Sequence, residues 1–202
     1  MKKIICILSF LTLMLFCVGC AEQTSGESAA EGNTAETEKT DVLSEEEIKL
    51  LYDTAYETYQ WFELGKLDLE IDDEGMIVVY TLDDGTMCGK VADNRISSMD
   101  ELKDIVYDTF SSEIADLLFG YDIYREENGI LYELMADRGG DITRGEIVEE
   151  KVTNVTETTF TYTVTVETVD PETMEVTGSE NIDFIAEYID GQWLFTQFCS
   201  IY

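Results

Sequence analysis

The 202-residue sequence contains no histidine and only 12 lysine and arginine residues, against 44 aspartate and glutamate residues. Without histidine, the chain alone cannot build Ser-His or Cys-His catalytic pairs or histidine metal sites. The formal net charge of −32 repels phosphate groups, which excludes nucleic-acid binding through a basic surface. P-loop, dinucleotide-binding and nucleophile-elbow motifs are also absent. We therefore predict that the protein is not an enzyme and uses no cofactor.

The first twenty residues are typical of a bacterial lipoprotein signal peptide. Two lysines precede an uncharged apolar run over residues 4–18, which at ~1.5 Å per residue is too short for a hydrocarbon core of ~30 Å. The run ends in Cys17-Val18-Gly19-Cys20, which resembles a lipobox although Cys17 replaces the usual leucine. We predict a signal peptide over residues 1–20 and lipidation of Cys20. An ordinary secretory leader is the alternative.

Residues 21–41 are small, polar or acidic, with no aromatic and no large aliphatic residue. Such a segment cannot bury enough surface to offset its chain entropy. The rest of the chain is different, since 45% of all residues are hydrophobic and 11% are aromatic. We therefore predict a flexible acidic tether over residues 21–42 and one folded domain over residues 43–202.

Two serine-glutamate pairs predict helix starts, because each pair has the spacing of a capping box. Apolar residues at helical spacing follow each start and continue to a glycine, so we predict two helices. The pairs are Ser44 with Glu47 and Ser98 with Glu101, and the glycines are Gly65 and Gly120.

Alternating apolar and polar residues predict strands in the rest of the domain. A first hairpin is expected around Gly75, between residues 67–71 and 76–82, and Asn128-Gly129 and Asp190-Gly191 are typical hairpin turns. From Tyr121 onward the strand pattern is continuous. Two helices followed by an antiparallel meander predict an α+β domain in which two helices pack on one curved sheet, as in cystatin-like and NTF2-like folds.

Carboxylates are adjacent throughout the sequence because of its composition, so a glycosidase-like pair has no specificity here. Asp72, Asp73 and Glu74, or Asp137 and Asp141, offer oxygen ligands for a cation such as Ca²⁺. Neither group has the spacing of an EF-hand loop. We interpret both as solvated turns and predict no metal site.

Cys88 and Cys199 remain after the signal peptide and the lipidated cysteine are set aside. An exported domain permits a disulfide between them. They are otherwise two inert thiols, and a catalytic cysteine is the third alternative, although the chain provides no histidine as its base.

Two adjacent glycines lie in a short charged segment that consists of Asp137, Arg138, Gly139, Gly140 and Asp141. We call this segment the glycine-rich loop. It follows a predicted strand, and loops present binding groups that a scaffold holds in place. Two interpretations are open. The loop is either a salt-bridged turn or a protruding segment that fills the groove of a partner.

Four segments carry a resemblance to a known family: AYETYQWF, DNRISSMDELKDIVYDTFSSEIADLLF, YREENGILYELMADRGGD and DFIAEYIDGQWLFTQF. Together they resemble the IseA family of DL-endopeptidase inhibitors from Gram-positive bacteria. The resemblance implies a cystatin-like domain that inhibits NlpC-type cell-wall hydrolases by inserting a loop into their cleft. By position, it assigns that role to the glycine-rich loop. Known members are secreted, whereas Cys20 would anchor this domain to the outer face of the cytoplasmic membrane.

The charge agrees with such a partner, because an acidic inhibitor is steered toward a basic hydrolase. The competing hypothesis is a lipoprotein that binds a small molecule or a peptide inside a cone-shaped fold. A deep aromatic pocket between helices and sheet would favour ligand binding, whereas a filled interior with a projecting loop favours inhibition. In both cases contact with the membrane is through the lipid anchor only.

Overall fold

A computed structural model describes residues 42–135 and 140–202. These residues all belong to one unit of the chain, Lys39–Tyr202. The predicted signal peptide, Cys20 and nearly all of the tether lie outside the described residues, as do Asp137, Arg138 and Gly139.

The described residues form three helices and eight strands, so the architecture is α+β, as predicted. In chain order the elements are α1 (Glu45–Glu63), β1 (Val79–Thr81), β2 (Met87–Lys90), α2 (Met99–Thr109), α3 (Ser112–Phe119), β3 (Tyr124–Glu127), β4 (Ile130–Leu134), β5 (Arg144–Thr153), β6 (Thr159–Val169), β7 (Val176–Ile189) and β8 (Gln192–Gln197).

The start of α1 confirms the predicted capping box. The Ser44 hydroxyl accepts the Glu47 amide at 3.3 Å, and the Glu47 carboxylate accepts the Ser44 amide at 2.8 Å. At α2 the Ser98 hydroxyl likewise accepts a hydrogen bond from the Glu101 amide, whereas the Glu101 carboxylate accepts the amide of Ser97. After α1 the backbone turns at Gly65, whose φ of 63° lies in the left-handed region. The apolar side of α1 is buried as predicted, with Ile48, Tyr52, Ala55, Tyr59, Trp61 and Phe62 in the core.

The second predicted helix is wrong as a single element, because the structure divides it into α2 and α3. Phe110 lies between them in an extended conformation, with φ −120° and ψ 154°. It forms a parallel bridge with Phe195 of β8, and the Ser111 amide donates to the Phe195 carbonyl at 2.9 Å. A tertiary contact with the sheet therefore ends α2 at a point where the sequence has no proline or glycine.

The prediction of one curved sheet is also wrong, because the described strands form two antiparallel sheets. The first sheet has the order β1-β2-β4-β3 and the second has the order β5-β6-β7-β8. The hairpin predicted around Gly75 is present but short: Ile71 and Ile77 form an antiparallel bridge, and the Val78 amide donates to the Glu70 carbonyl at 2.9 Å. The following strand, β1, also pairs with β2.

The two predicted hairpin turns are confirmed. Asn128 and Gly129 have φ values of 53° and 75° and connect β3 to β4, while Asp190 and Gly191 have φ values of 51° and 96° and connect β7 to β8. Positive φ at both central residues is characteristic of a type I′ turn, which matches the twist of antiparallel strands.

Helix α1 contacts both sheets and belongs to one continuous core. Toward the second sheet, the rings of Tyr52 and Tyr162 stack with centroids 4.1 Å apart. Toward the first sheet, the rings of Phe62 and Tyr124 meet edge to face at 5.3 Å, and the Tyr124 hydroxyl donates to the Trp61 carbonyl at 2.7 Å. Aromatic pairs of this geometry stabilise the core beyond the area that they bury.

Candidate functional site

The glycine-rich loop lies in the connection from β4 to β5, which carries the chain from the first sheet to the second. Of its five residues, Gly140 and Asp141 are among the described residues and both are exposed. The structure therefore places the end of the loop that joins β5. We call this end, residues 140–144, the loop base.

The Asp141 carboxylate is bound within the loop base. It accepts hydrogen bonds from the Thr143 amide at 3.0 Å and from the Thr143 hydroxyl at 2.6 Å. These bonds, chiefly that of the hydroxyl, and the nearby Arg144 lower the pKa of Asp141 below its ordinary value. Asp141 is thus a turn-forming residue as well as an exposed charge.

Arg144, the first residue of β5, ties the loop base to two other parts of the domain. Its Nε lies 2.7 Å from Oε1 of Glu180 on β7. Its Nη1 donates to the carbonyl oxygens of Ser200 at 2.9 Å and of Ile201 at 3.3 Å. Because one planar guanidinium holds three acceptors from β7 and the C-terminal segment, the end of the loop has a defined position.

Of the two glycines in this region, Gly145 is tightly packed and Gly140 is not. A Cβ atom added at Gly140 would lie 3.4 Å from the carbonyl carbon of Tyr202, and one added at Gly145 would lie 2.9 Å from Cγ2 of Val169. The second distance is shorter than real Cβ contacts, so a side chain at Gly145 would require the side chains of Val169 and Glu167 on β6 to move. The start of β5 therefore depends on a small residue next to Arg144.

Both cysteines of the folded domain are free thiols. The Cys88 thiol is buried in β2 and donates to the Tyr80 carbonyl at 3.8 Å, whereas Cys199 is exposed after β8. Burial raises the pKa of the Cys88 thiol. At Cys199, which is exposed as a residue, nearby protein atoms still desolvate the thiol in part, and this raises its pKa despite the opposing effect of Arg144. A nucleophilic cysteine requires a lowered pKa, so these environments do not activate either thiol.

The acidic turn at Asp72 is closed by hydrogen bonds from its backbone amides to the Asp72 carboxylate. Asp72 Oδ1 accepts the amides of Glu74 and Met76, each at 2.9 Å. Over residues 42–135 and 140–202, no group of three or more Cys, Asp or Glu side chains is arranged to hold a metal ion.

Aromatic rings occupy the space between α1 and the second sheet. Phe198 is at their centre, with its ring centroid 4.7 Å from that of Phe184, 5.1 Å from Phe195 and 5.2 Å from Tyr59. Phe184 and Phe195 belong to the second sheet, Tyr59 belongs to α1, and all three are buried. Between α1 and the second sheet, where a ligand-binding cone would have its pocket, these aromatic rings thus pack against one another.

An open cleft of about 570 Å³ lies between α3 and the end of β8. Its wall combines two carboxylates with apolar and neutral polar groups, contributed by Glu113, Ile114, Asp116, Leu117, Thr196, Gln197 and Phe198. The sequence did not indicate this cleft, because five strands, β3 to β7, separate α3 from β8 in the chain and only the fold brings them together.

The sequence also did not indicate a charged network at Arg95, before α2. The Arg95 guanidinium forms two hydrogen bonds to the Asp93 carboxylate, at 2.9 Å and 2.8 Å, and one to Glu57 of α1 at 2.7 Å. It also lies over the Trp61 ring, 5.1 Å from the centroid. These bonds, chiefly the side-chain bond to Arg95, lower the pKa of Asp93. The network fastens the segment before α2 to α1.

Comparisons with known proteins give no family for this chain, because no protein-family model and no curated protein matches its sequence. In the part of the chain that the structure describes, none of the helices is long and apolar enough to cross a membrane.

Proposed function

We propose that this protein inhibits an NlpC-type peptidoglycan DL-endopeptidase, and so regulates autolysis of the cell wall in a Gram-positive bacterium. In this proposal Cys20 anchors it to the outer face of the cytoplasmic membrane, and the α+β domain has a cystatin-like or NTF2-like fold. The glycine-rich loop enters the cleft of the hydrolase. Gly139 and Gly140 let the backbone approach closely, while Asp137 and Asp141 meet the basic or histidine side of the cleft.

The observation that carries the proposal is the fixed loop base. Arg144 holds the start of β5 against Glu180 and the carbonyls of residues 200 and 201. A segment that enters a cleft binds more tightly when its ends are already in place, because less conformational entropy is lost on binding. The loop also joins two sheets, which gives it a supported attachment at either end.

Two further features support an inhibitor rather than an enzyme or a cone-shaped binder. The interior between α1 and the second sheet is occupied by aromatic side chains such as Phe184 and Phe198. Cys88 and Cys199 have raised pKa values, which is the opposite of what a catalytic cysteine requires.

Charge supports the choice of partner. With 44 acidic and 12 basic residues, the protein attracts a basic hydrolase over a distance set by ionic strength. This attraction accelerates association more than it increases final affinity, so inhibition should develop faster at low salt.

The test is a turbidity assay on purified cell walls with a purified NlpC-type endopeptidase. We expect micromolar wild-type protein to slow lysis and the variant Asp137→Lys to slow it less. Asp104→Lys is the matched control, because it makes the same charge change at an exposed position of α2. If the wild-type protein leaves every such hydrolase fully active, the proposal is wrong. If Asp104→Lys weakens inhibition as much as Asp137→Lys, net charge and not the loop is responsible.

The second candidate is ligand binding by a non-catalytic lipoprotein, and the cleft between α3 and β8 favours it. With about 570 Å³, the cleft is within the usual size range of small-molecule sites. Its carboxylates, Glu113 and Asp116, would select a cationic ligand. This candidate takes precedence if no hydrolase is inhibited.

A further inference from the structure

The first sheet has an exposed row of apolar side chains on one face. In the pairing of β1 with β2, Val79 lies opposite Gly89 and Thr81 lies opposite Met87, so Val79 and Met87 are diagonal neighbours on the same face. The Met135 amide donates to the Met87 carbonyl at 3.1 Å, which extends the pairing of β2 with β4 by one residue. We call Ile77, Val79, Met87 and Met135 the apolar strip.

The backbone at Gly89 shows that Ile77 belongs to this face. A Cβ atom added at Gly89 would lie 3.4 Å from Cγ2 of Ile77 and 2.7 Å from Cδ1 of Leu69. Leu69 thus fills the space that a larger residue at position 89 would need, and Ile77 lies close to Gly89 on the same face.

The apolar strip continues the face that the rest of the first sheet uses for its core. Gly89 pairs with Glu133, and Glu133 pairs with Tyr124, so the residues around Tyr124 and Leu131 lie on the same face. Tyr124 and Leu131 are buried, at 5% and 2% exposure. The four strip residues are 43% to 58% exposed, so this part of a core-like face is left uncovered. Uncovered apolar surface of this kind marks an interaction site.

Acidic turns lie at both ends of the strip, which restricts what can cover it. Asp72, Asp73 and Glu74 precede Ile77, and Asp83 and Asp84 follow β1. Two copies of the protein docked through this face would bring like charges together, and an anionic lipid surface would meet the same repulsion. The pattern fits a protein partner with an apolar centre and basic residues around it.

We propose that the apolar strip is a docking surface for the same hydrolase that the glycine-rich loop inhibits. This inference rests on the proposed function. Met135 is the last described residue before residues 136–139, so the strip leads directly to the loop along β4. The strip would hold the hydrolase beside its cleft while the loop occupies the cleft, and would contribute to affinity as a buried apolar anchor.

The test compares two double variants in a direct binding assay, such as biolayer interferometry, with a purified NlpC-type endopeptidase. Val79→Asp with Met87→Glu alters the strip. Val176→Asp with Met174→Glu is the matched control, because the change adds the same two charges at exposed apolar residues away from the strip. Val176 is the first residue of β7 and is 56% exposed, and Met174, in the turn before β7, is 66% exposed. All four positions are exposed, so we expect the circular dichroism and melting temperature of both variants to match the wild type.

The strip variant should raise the dissociation constant about tenfold or more, as expected for losing an interface anchor, while the control stays within about twofold. Equal affinity of the strip variant and the wild type would overturn the inference and leave the proposed function intact. If the wild-type protein does not bind the endopeptidase at all, both the proposed function and the docking inference are wrong. A wild-type dimer in sedimentation that the strip variant lacks would show a second copy as the occupant and overturn the inference.

Discussion

Replacing Arg144 by methionine tests whether the loop base is held as the structure indicates. The substitution keeps an unbranched apolar stem and removes the guanidinium, so it deletes the contact with Glu180 and both bonds to the C-terminal carbonyls. We expect the domain to remain folded but to be less stable, and the amides near the start of β5 to exchange with solvent faster.

The magnitude follows from the exposure of the partners. The side chains of Arg144 and Glu180 are 24% and 42% exposed. Because water screens a pair that is exposed to this extent, the ion pair contributes about 0.5 to 1 kcal/mol to the free energy of unfolding. The two bonds to carbonyl groups, which water partly replaces, add about 1 kcal/mol. The total of about 1.5 to 2 kcal/mol should lower the melting temperature by about 3 to 8 °C for a domain of this size.

The assay is thermal unfolding of the 43–202 fragment followed by circular dichroism, with Lys151→Met as the control. Lys151 also lies on β5, but its pair with Glu149 is 3.3 Å long and both side chains are about half exposed, so its loss should cost under about 0.5 kcal/mol. If Arg144→Met costs no more than Lys151→Met, the guanidinium does not anchor the loop base. A double-mutant cycle of Arg144 with Glu180 then measures how much of the loss belongs to that pair.

Three other predictions concern charge, thiols and anchoring. Because Arg95 lowers the pKa of Asp93 below 3.8, Asp93 stabilises the fold fully above that pH and loses this effect as the pH falls through its lowered pKa; Asp93→Asn should therefore flatten the acid side of a plot of melting temperature against pH, and an unchanged slope would contradict the pairing. Thiol titration of the unfolded 43–202 fragment, purified without reductant, should find two free sulfurs from Cys88 and Cys199, and reductant should not change the melting temperature; finding none would indicate a disulfide. Labelled palmitate should enter the full-length protein in a bacterial host and not the variant Cys20→Ala, and equal labelling of both would exclude lipidation at that residue.

Local sequence signals predicted the local structure well. The capping box of Ser44 with Glu47 and the turn Asn128-Gly129 were both confirmed, because each depends on bonds and backbone angles within a few residues. The break at Phe110 was not predictable in this way. Apolar spacing continues from α2 into α3, and the helix ends there because Phe110 pairs with β8, which is distant in sequence.

The candidate site also depends on contacts between elements that are distant in sequence, so the sequence alone indicates little about it. The division into two sheets depends on which strands become neighbours, and alternating residues do not specify this. No local pattern indicates the role of Arg144, because its partners Glu180 and Ser200 lie 36 and 56 residues away. The apolar strip was likewise hidden, because Val79 and Met135 become neighbours only through β2.

The edges of the two sheets bear on how the protein behaves at high concentration. Exposed edge strands readily pair with another molecule and begin aggregation. Here β1 has only three residues, and β5 carries Glu146, Glu149, Glu150 and Lys151 along its exposed length. The outer side of β8 is occupied in part by the bridge from Phe110 to Phe195. The charged side chains, the short length of β1 and the local cover of β8 therefore oppose edge-to-edge pairing with another molecule.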